Sequence, residues 1–291
     1  MSIFRYPRVS TTLLCVHLLA QGCQSRLNAL SEDSVSSSSN ASSSSYSDTL
    51  AAGDVGLAAR SRAYSALELH QRSVSPLPAL AFGPESWREH FGVAVGNVPS
   101  LPPDIDQILD HPCPFWPRKK VRETHLLVLI PSKIDGVPYT LDKLGELIRL
   151  RFSDTAARYR YYDADTKNQL GFVSPPASCW VLLTRDVIPD SRCKPYGVQK
   201  EQAVHHAART GLSYRLPSSL EASTTVLAHY VRSGERLFAD APLTYTRCQD
   251  LVTYEGAHYP VVVGGFESSG LSIHYDYYSF PCGVSYCREF F

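Results

Sequence analysis

The chain lacks a surplus of either charge: 28 Lys and Arg stand against 28 Asp and Glu. A nucleic-acid footprint needs a basic excess or stripe, so none is predicted. The one short basic run, PRKKVR at residues 117–122, reads as a solvated loop ahead of a strand. Also missing is any apolar stretch long enough to cross a bilayer as a helix. There is no Walker loop, no G-x-S-x-G, no H-E-x-x-H and no C-x-x-C, which removes the commonest phosphate, acyl-transfer, zinc-protease and dithiol signatures. Internal repeats are absent too. Aromatics, by contrast, are plentiful: 17 Tyr and 11 Phe favour a packed, β-containing domain with an amphipathic surface.

The first residues carry Arg5 and Arg8, then a short apolar core at 9–20, then Gln21, Gly22 and Cys23. A positive start, a brief apolar core and a small residue before a cleavage point make a secretory signal. The LAQGC end resembles the lipobox of bacterial lipoproteins. Ala20 stands where that pattern prefers Leu, and Gln21 where it prefers a small residue. The resemblance implies that Cys23 is lipidated and serves as a membrane anchor rather than as a structural thiol. Secretion without an anchor, and a cytosolic chain with an apolar start, are the alternatives. Residues 31–49 form a serine tract that cannot bury enough apolar surface to offset its ordering entropy, so a flexible tether is expected. Residues 57–72 have helical spacing but are stopped by a proline-rich stretch. The expected organisation is a signal at 1–23, a tether at 24–81 and one domain at 82–291, with its core at 124–291.

Within that domain, residues 124–131 and 178–188 are continuous apolar runs of the kind that make buried strands. Residues 139–152 follow a helical period, with Thr140 as N-cap. Residues 158–163 alternate like a strand, and residues 196–211 read as a helix ending at Gly211. Pro217 opens another helix, in which Ser218 and Glu221 have capping-box spacing and Gly234 closes the end. Everything after that is β. Leu271, Ile273 and Tyr275 alternate with Ser272, His274 and Asp276, the period of a half-buried antiparallel strand. The fold class is therefore α+β, with central helices and an antiparallel C-terminal sheet.

The order of these pieces, with YRLPSSLEAS at 214–223 and VVVGGFESSG at 261–270, resembles the C-type-lectin-like fold of the formylglycine-generating (sulfatase-modifying factor) enzyme family. The wording of several segments also resembles an uncharacterised family of hypothetical proteins from intracellular bacteria, which brings no activity with it. The enzyme resemblance implies that Cys282 and Cys287, in CGVSYC, are copper ligands of a thiol oxidase, and thiolates do suit Cu(I). In that family, however, the cysteines follow the glycine pair almost at once. Here they lie on the last strand, and Val263 and Phe266 replace the family's Arg and Ser. A closing strand with structural cysteines is the reading preferred, with no cofactor and a binding or structural role rather than catalysis; the copper-dependent oxidase and a secreted, host-directed effector are the alternatives. In an exported chain, Cys113, Cys179, Cys193, Cys248, Cys282 and Cys287 make an even set compatible with bridges.

The remaining candidates are surface groups. Arg185, Asp186, Asp190 and Arg192 follow a buried strand, where binding loops often sit. His274, Tyr275, Tyr277 and Tyr278 make a tyrosine-rich contact surface. Adjacent His205 and His206 on a helix do not form the i,i+4 pair of a helical zinc site and read as solvated surface. Asp104 and Asp106 read as helix capping rather than calcium ligation. The carboxylate motifs of sugar-binding C-type lectins are missing. The partner expected is a protein or glycan at the cell envelope, with membrane contact through the lipid only.

Overall fold

A computed structural model describes residues 77–152, 159–276 and 282–290. The signal, Cys23, the serine tract, the 57–72 segment, Tyr277 and Tyr278 lie outside the described residues. The rest is mixed helix and sheet, an α+β domain with largely antiparallel sheets.

Helix α1 (Pro84–Phe91) starts with proline in its first turn and ends at Gly92 in the left-handed region. Its Trp87 is fully buried and donates from Nε1 to the Leu129 carbonyl at 3.0 Å. Two short helices follow, α2 (Ile105–Asp110) and α3 (Val121–Thr124). Asp104 occupies the N-cap position of α2 but makes no cap hydrogen bond with its side chain. Strand β1 (His125–Ile130) is one of the two apolar runs, and its margin is covered by Phe82, whose amide and carbonyl pair with Leu127 and Leu129. A small hairpin, β2 (Lys133–Ile134) and β3 (Val137–Pro138), leads to α4 (Leu141–Phe152). Thr140 caps α4 as expected, its hydroxyl accepting from the Lys143 amide at 3.1 Å.

The alternating 158–163 segment contributes only β4 (Tyr161–Tyr162), followed by α5 (Ala164–Leu170), whose N-cap Asp163 accepts from Thr166 N at 2.8 Å. Strand β5 (Cys179–Thr184) is buried at every position, as the centre of a sheet requires. Helix α6 (Tyr196–Thr210) lies more outward. Helix α7 (Ser219–Ser233) carries the capping box read from the sequence: Ser218 Oγ accepts from Glu221 N, and Glu221 accepts from Ser218 N. Its residues from Ser219 to Ala228 are all buried, because it packs against strands of both main sheets.

The sheets are β1-β5-β9 and β4-β8-β7-β6, where β6 is Tyr245–Tyr254, β7 Ala257–Glu267, β8 Gly270–Tyr275 and β9 Cys287–Phe290. All ladders are antiparallel except the two-residue parallel pairing of β4 with β8. The glycine pair before Phe266 has a local cause. Gly264 (φ +154°) and Gly265 (φ +53°) sit where the chain bulges, and a Cβ on either would run into Thr244 or Tyr245. The open margin of β6 is occupied at Thr253 by a side chain: the Gln169 amide donates to the Thr253 carbonyl at 3.0 Å and accepts from its N–H at 2.9 Å.

One expectation changes. The C-terminal segment does not extend the sheet that holds the glycine pair. Residues 282–286 are irregular and run beside β6, where Gly283 pairs with Tyr245 and Arg247 and Ser285 N donates to Thr246 Oγ1 at 2.8 Å. The chain then crosses over, and Cys287 to Phe290 pair with β5 in the other sheet. There the tail pairs with β5 on the side away from β1, which makes β5 the central strand of that sheet.

At this crossing a guanidinium is buried. Arg247 on β6 donates from Nε to Asp276 at 2.7 Å and from Nη1 to the Lys194 carbonyl at 2.8 Å and Gln199 Oε1 at 2.9 Å. The side chains of Arg247 and Asp276 are 5% and 2% exposed, so solvent screens them little. Gln199 in turn donates to the Ser191 and Cys282 carbonyls. Removing one charge of such a pair leaves the other uncompensated. Asp276→Asn is expected to cost about 3–5 kcal/mol in urea unfolding. The double replacement Arg247→Met with Asp276→Leu is expected to cost clearly less.

Candidate ligand-binding cleft

A cleft of about 350 Å³ opens where both sheets meet the start of α7. One wall is apolar: Ile130, Leu141, Leu170 and Val173, with Pro175 and Pro176 on the loop after α5. The facing floor is charged. Arg215 reaches it from the segment before α7, Glu221 from the first turn of α7, Asp250 from β6 and Glu289 from β9.

The floor is held rigidly. Arg215 grips Glu221 through two parallel bonds, Nη1 to Oε2 at 2.9 Å and Nη2 to Oε1 at 2.6 Å, and also pairs with Glu289. Asp250 accepts from the Ser219 amide at 2.5 Å and from the Ser219 hydroxyl at 2.6 Å. Two carboxylates thus cluster at the N-terminus of α7, the end whose macrodipole favours anions. Arg215 is itself fixed by main-chain pairing with Cys287 in both directions. Three carboxylates against one guanidinium leave the cleft floor net negative.

Cys179, at the start of β5, offers its Sγ beside Glu221 and Glu289, the three ligand atoms lying within 4.8 Å of one another. The donor types suit a metal, but Arg215 already holds both carboxylates. Burial, and then the charge of Glu221, push the Cys179 thiol up to about 12. The cluster is an ion-paired floor with a protonated thiol beside it, not a poised nucleophile.

The residues singled out from the sequence are dispersed. Arg185 and Asp186 border a second, more polar cleft of about 420 Å³ together with Trp116, Lys119 and Arg236. There Arg185 donates to Glu235 at 2.8 Å, and His229 also contacts Glu235 at 2.8 Å. Asp186 spends one oxygen on the Val187 amide, Arg192 donates to Thr244 at 2.9 Å, and Asp190 is exposed at positive φ. His274 packs edge-on to Tyr161 and Tyr245, and Tyr275 stacks on Tyr254. His205 is exposed, whereas His206 is half-buried against Phe115 and Tyr286 rather than solvated.

Cys282 and Cys287 belong to different packing clusters: Cys282 sits with Tyr245 and Val262, Cys287 in the main core. Both are free thiols, and burial drives both upward, against the thiolate that Cu(I) ligation requires. Cys113, Cys179 and Cys248 are also free, so no two of the domain's six cysteines bridge each other.

Sequence reasoning missed Arg215, Asp250 and Glu289. Glu221 was seen only as half of a capping box, and nothing in spacing joins it to a residue 68 positions later. No protein-family model, no curated protein and no solved structure matches the chain.

The state of the Cys179 thiol is measurable. Raising it from 9 to about 12 cuts the thiolate fraction roughly a thousandfold at a given pH. Iodoacetamide at pH 8 is expected to leave Cys179 essentially unmodified in the native protein and to modify it after urea unfolding, read by peptide mass mapping.

Proposed function

We propose that this chain is an exported bacterial lipoprotein. Cys23 anchors it at the cell envelope, the serine tract serves as tether, and the folded domain is a C-type-lectin-like module with a non-catalytic binding role. The observation that carries the binding role is the cleft itself, an apolar wall facing a pre-set, net negative floor. Each carboxylate is already oriented by the fold, so a ligand meets it without further ordering cost. That combination suits a partner protein segment that places a lysine or arginine head on the floor and an adjacent apolar side chain on the proline wall. The neighbouring thiol is held protonated, which favours recognition over thiol chemistry.

A peptide array over the purified domain is expected to enrich sequences with Lys or Arg next to Leu, Val or Phe. Binding should weaken as salt rises, and about tenfold or more in the Asp250→Asn, Glu289→Gln double variant. Enrichment of acidic peptides, or unchanged binding in the double variant, would end this reading. The anchor is tested separately: labelled palmitate is expected in the wild-type chain and not in Cys23→Ser. Unlabelled wild-type protein recovered from the cytosol would refute the lipoprotein assignment.

A further inference from the structure

Away from the cleft, five rings pack together, with Trp116 and His205 touching their margin. Phe115 lies at its centre, with ring centroids 5.0 Å from Tyr214, 5.4 Å from Tyr286, 5.5 Å from His206 and 6.4 Å from His125. Tyr214 also meets His125 and Tyr286, and His206 meets Tyr286. Four of the five rings carry polar atoms, an odd composition for a packed interior.

Three of those atoms meet no protein hydrogen-bonding partner: His125 Nε2, His206 Nδ1 and the Tyr286 hydroxyl. His125 and Tyr286 are 1% and 0% exposed. The tautomer of His125 follows from its neighbours. Thr124 Oγ1 donates to the Lys120 and Val121 carbonyls and therefore accepts from His125 Nδ1, 2.9 Å away. Nε2 is left as an acceptor without a partner. Burial lowers the His125 imidazole to about 4, so it stays neutral at physiological pH. Each buried polar group left unmatched carries a desolvation penalty, and phenylalanine at position 286 would fill the same space without one. Packing alone does not explain the hydroxyl.

Phe115 is the only purely apolar ring of the five. It rides on a loop flanked by Pro114 and Pro117, outside any helix or strand. That loop is closed by the Pro112 and Lys120 bridge and by a 2.7 Å bond from Cys113 N to the Lys119 carbonyl. The ring of Phe115 packs against the rings of His125 and Tyr286, which carry two of the unmatched atoms.

We propose that the space filled by Phe115 is a second binding site, taken by a planar aromatic ring bearing a hydroxyl when the 113–119 loop withdraws. The four surrounding rings supply faces and edges for stacking. The ligand hydroxyl donates to one unmatched acceptor and receives from the Tyr286 hydroxyl. Phe115 stands in for the ring of the ligand but cannot meet the polar atoms, which keeps the closed state replaceable.

The test uses the purified chain with Phe115→Ala, its folding checked by circular dichroism, and phenol and toluene as probes in calorimetry. Phenol is expected to bind Phe115→Ala at least tenfold more tightly than toluene and more tightly than it binds the wild type. Adding Tyr286→Phe should remove most of that preference. Equal affinities for the two probes, or no binding to a folded Phe115→Ala, would overturn the proposal. Tyr286→Phe in the otherwise wild-type chain gives a readout that needs no cavity. A raised urea midpoint is expected, because the unmatched hydroxyl is lost; a lowered midpoint would show that the hydroxyl is structural and refute the site.

Discussion

A guanidinium buried without water must have its N–H groups matched by the protein, and Arg247 meets that demand with groups drawn from distant parts of the chain. Asp276 comes from the end of β8, Gln199 from α6 and the Lys194 carbonyl from the loop before it. Gln199 passes the constraint on to Ser191 and Cys282. The last segment is thereby delivered to β6 at a fixed place and must cross to β5 from there. Once it crosses, Glu289 arrives beside Arg215 and the cleft floor is complete. The position of a surface carboxylate thus depends on a buried cation in another sheet.

The two halves of the cleft differ in how they were legible. The apolar runs of β1 and β5, the Thr140 cap and the Ser218 and Glu221 capping box were visible in the sequence, because each is a local pattern with a local cause. The floor was not. Arg215 and Glu221 are six residues apart across Pro217, a spacing that no helical or strand period connects. Glu289 and Asp250 join them only because two sheets converge on the start of α7. The tail illustrates the same limit. Its residue types indicated a closing strand, but the ladder it would choose depended on which edge stood open. His206 misled for a related reason: a helical period says which residues share a face, not whether a loop such as 113–119 folds over that face.

The glycine pair before Phe266 also changes meaning in three dimensions. As a string it suggested kinship with an enzyme family. In the fold, Gly264 and Gly265 answer to Thr244 and Tyr245, which press too close for a side chain. Backbone clearance is a sufficient reason for two glycines at this place. The cysteines that resemblance marked are likewise accounted for as small apolar fillers of two separate clusters.

The Gln169 amide that fills the ladder position of Thr253 has a consequence for life in a crowd. A strand margin with free amides and carbonyls is a template on which a neighbouring copy can polymerise. Here a side chain borrowed from the same molecule plays the part of that neighbour, answering both main-chain groups at once. Copies brought close together find that rung already taken, and the domain has a built-in brake against joining sheet to sheet at that point.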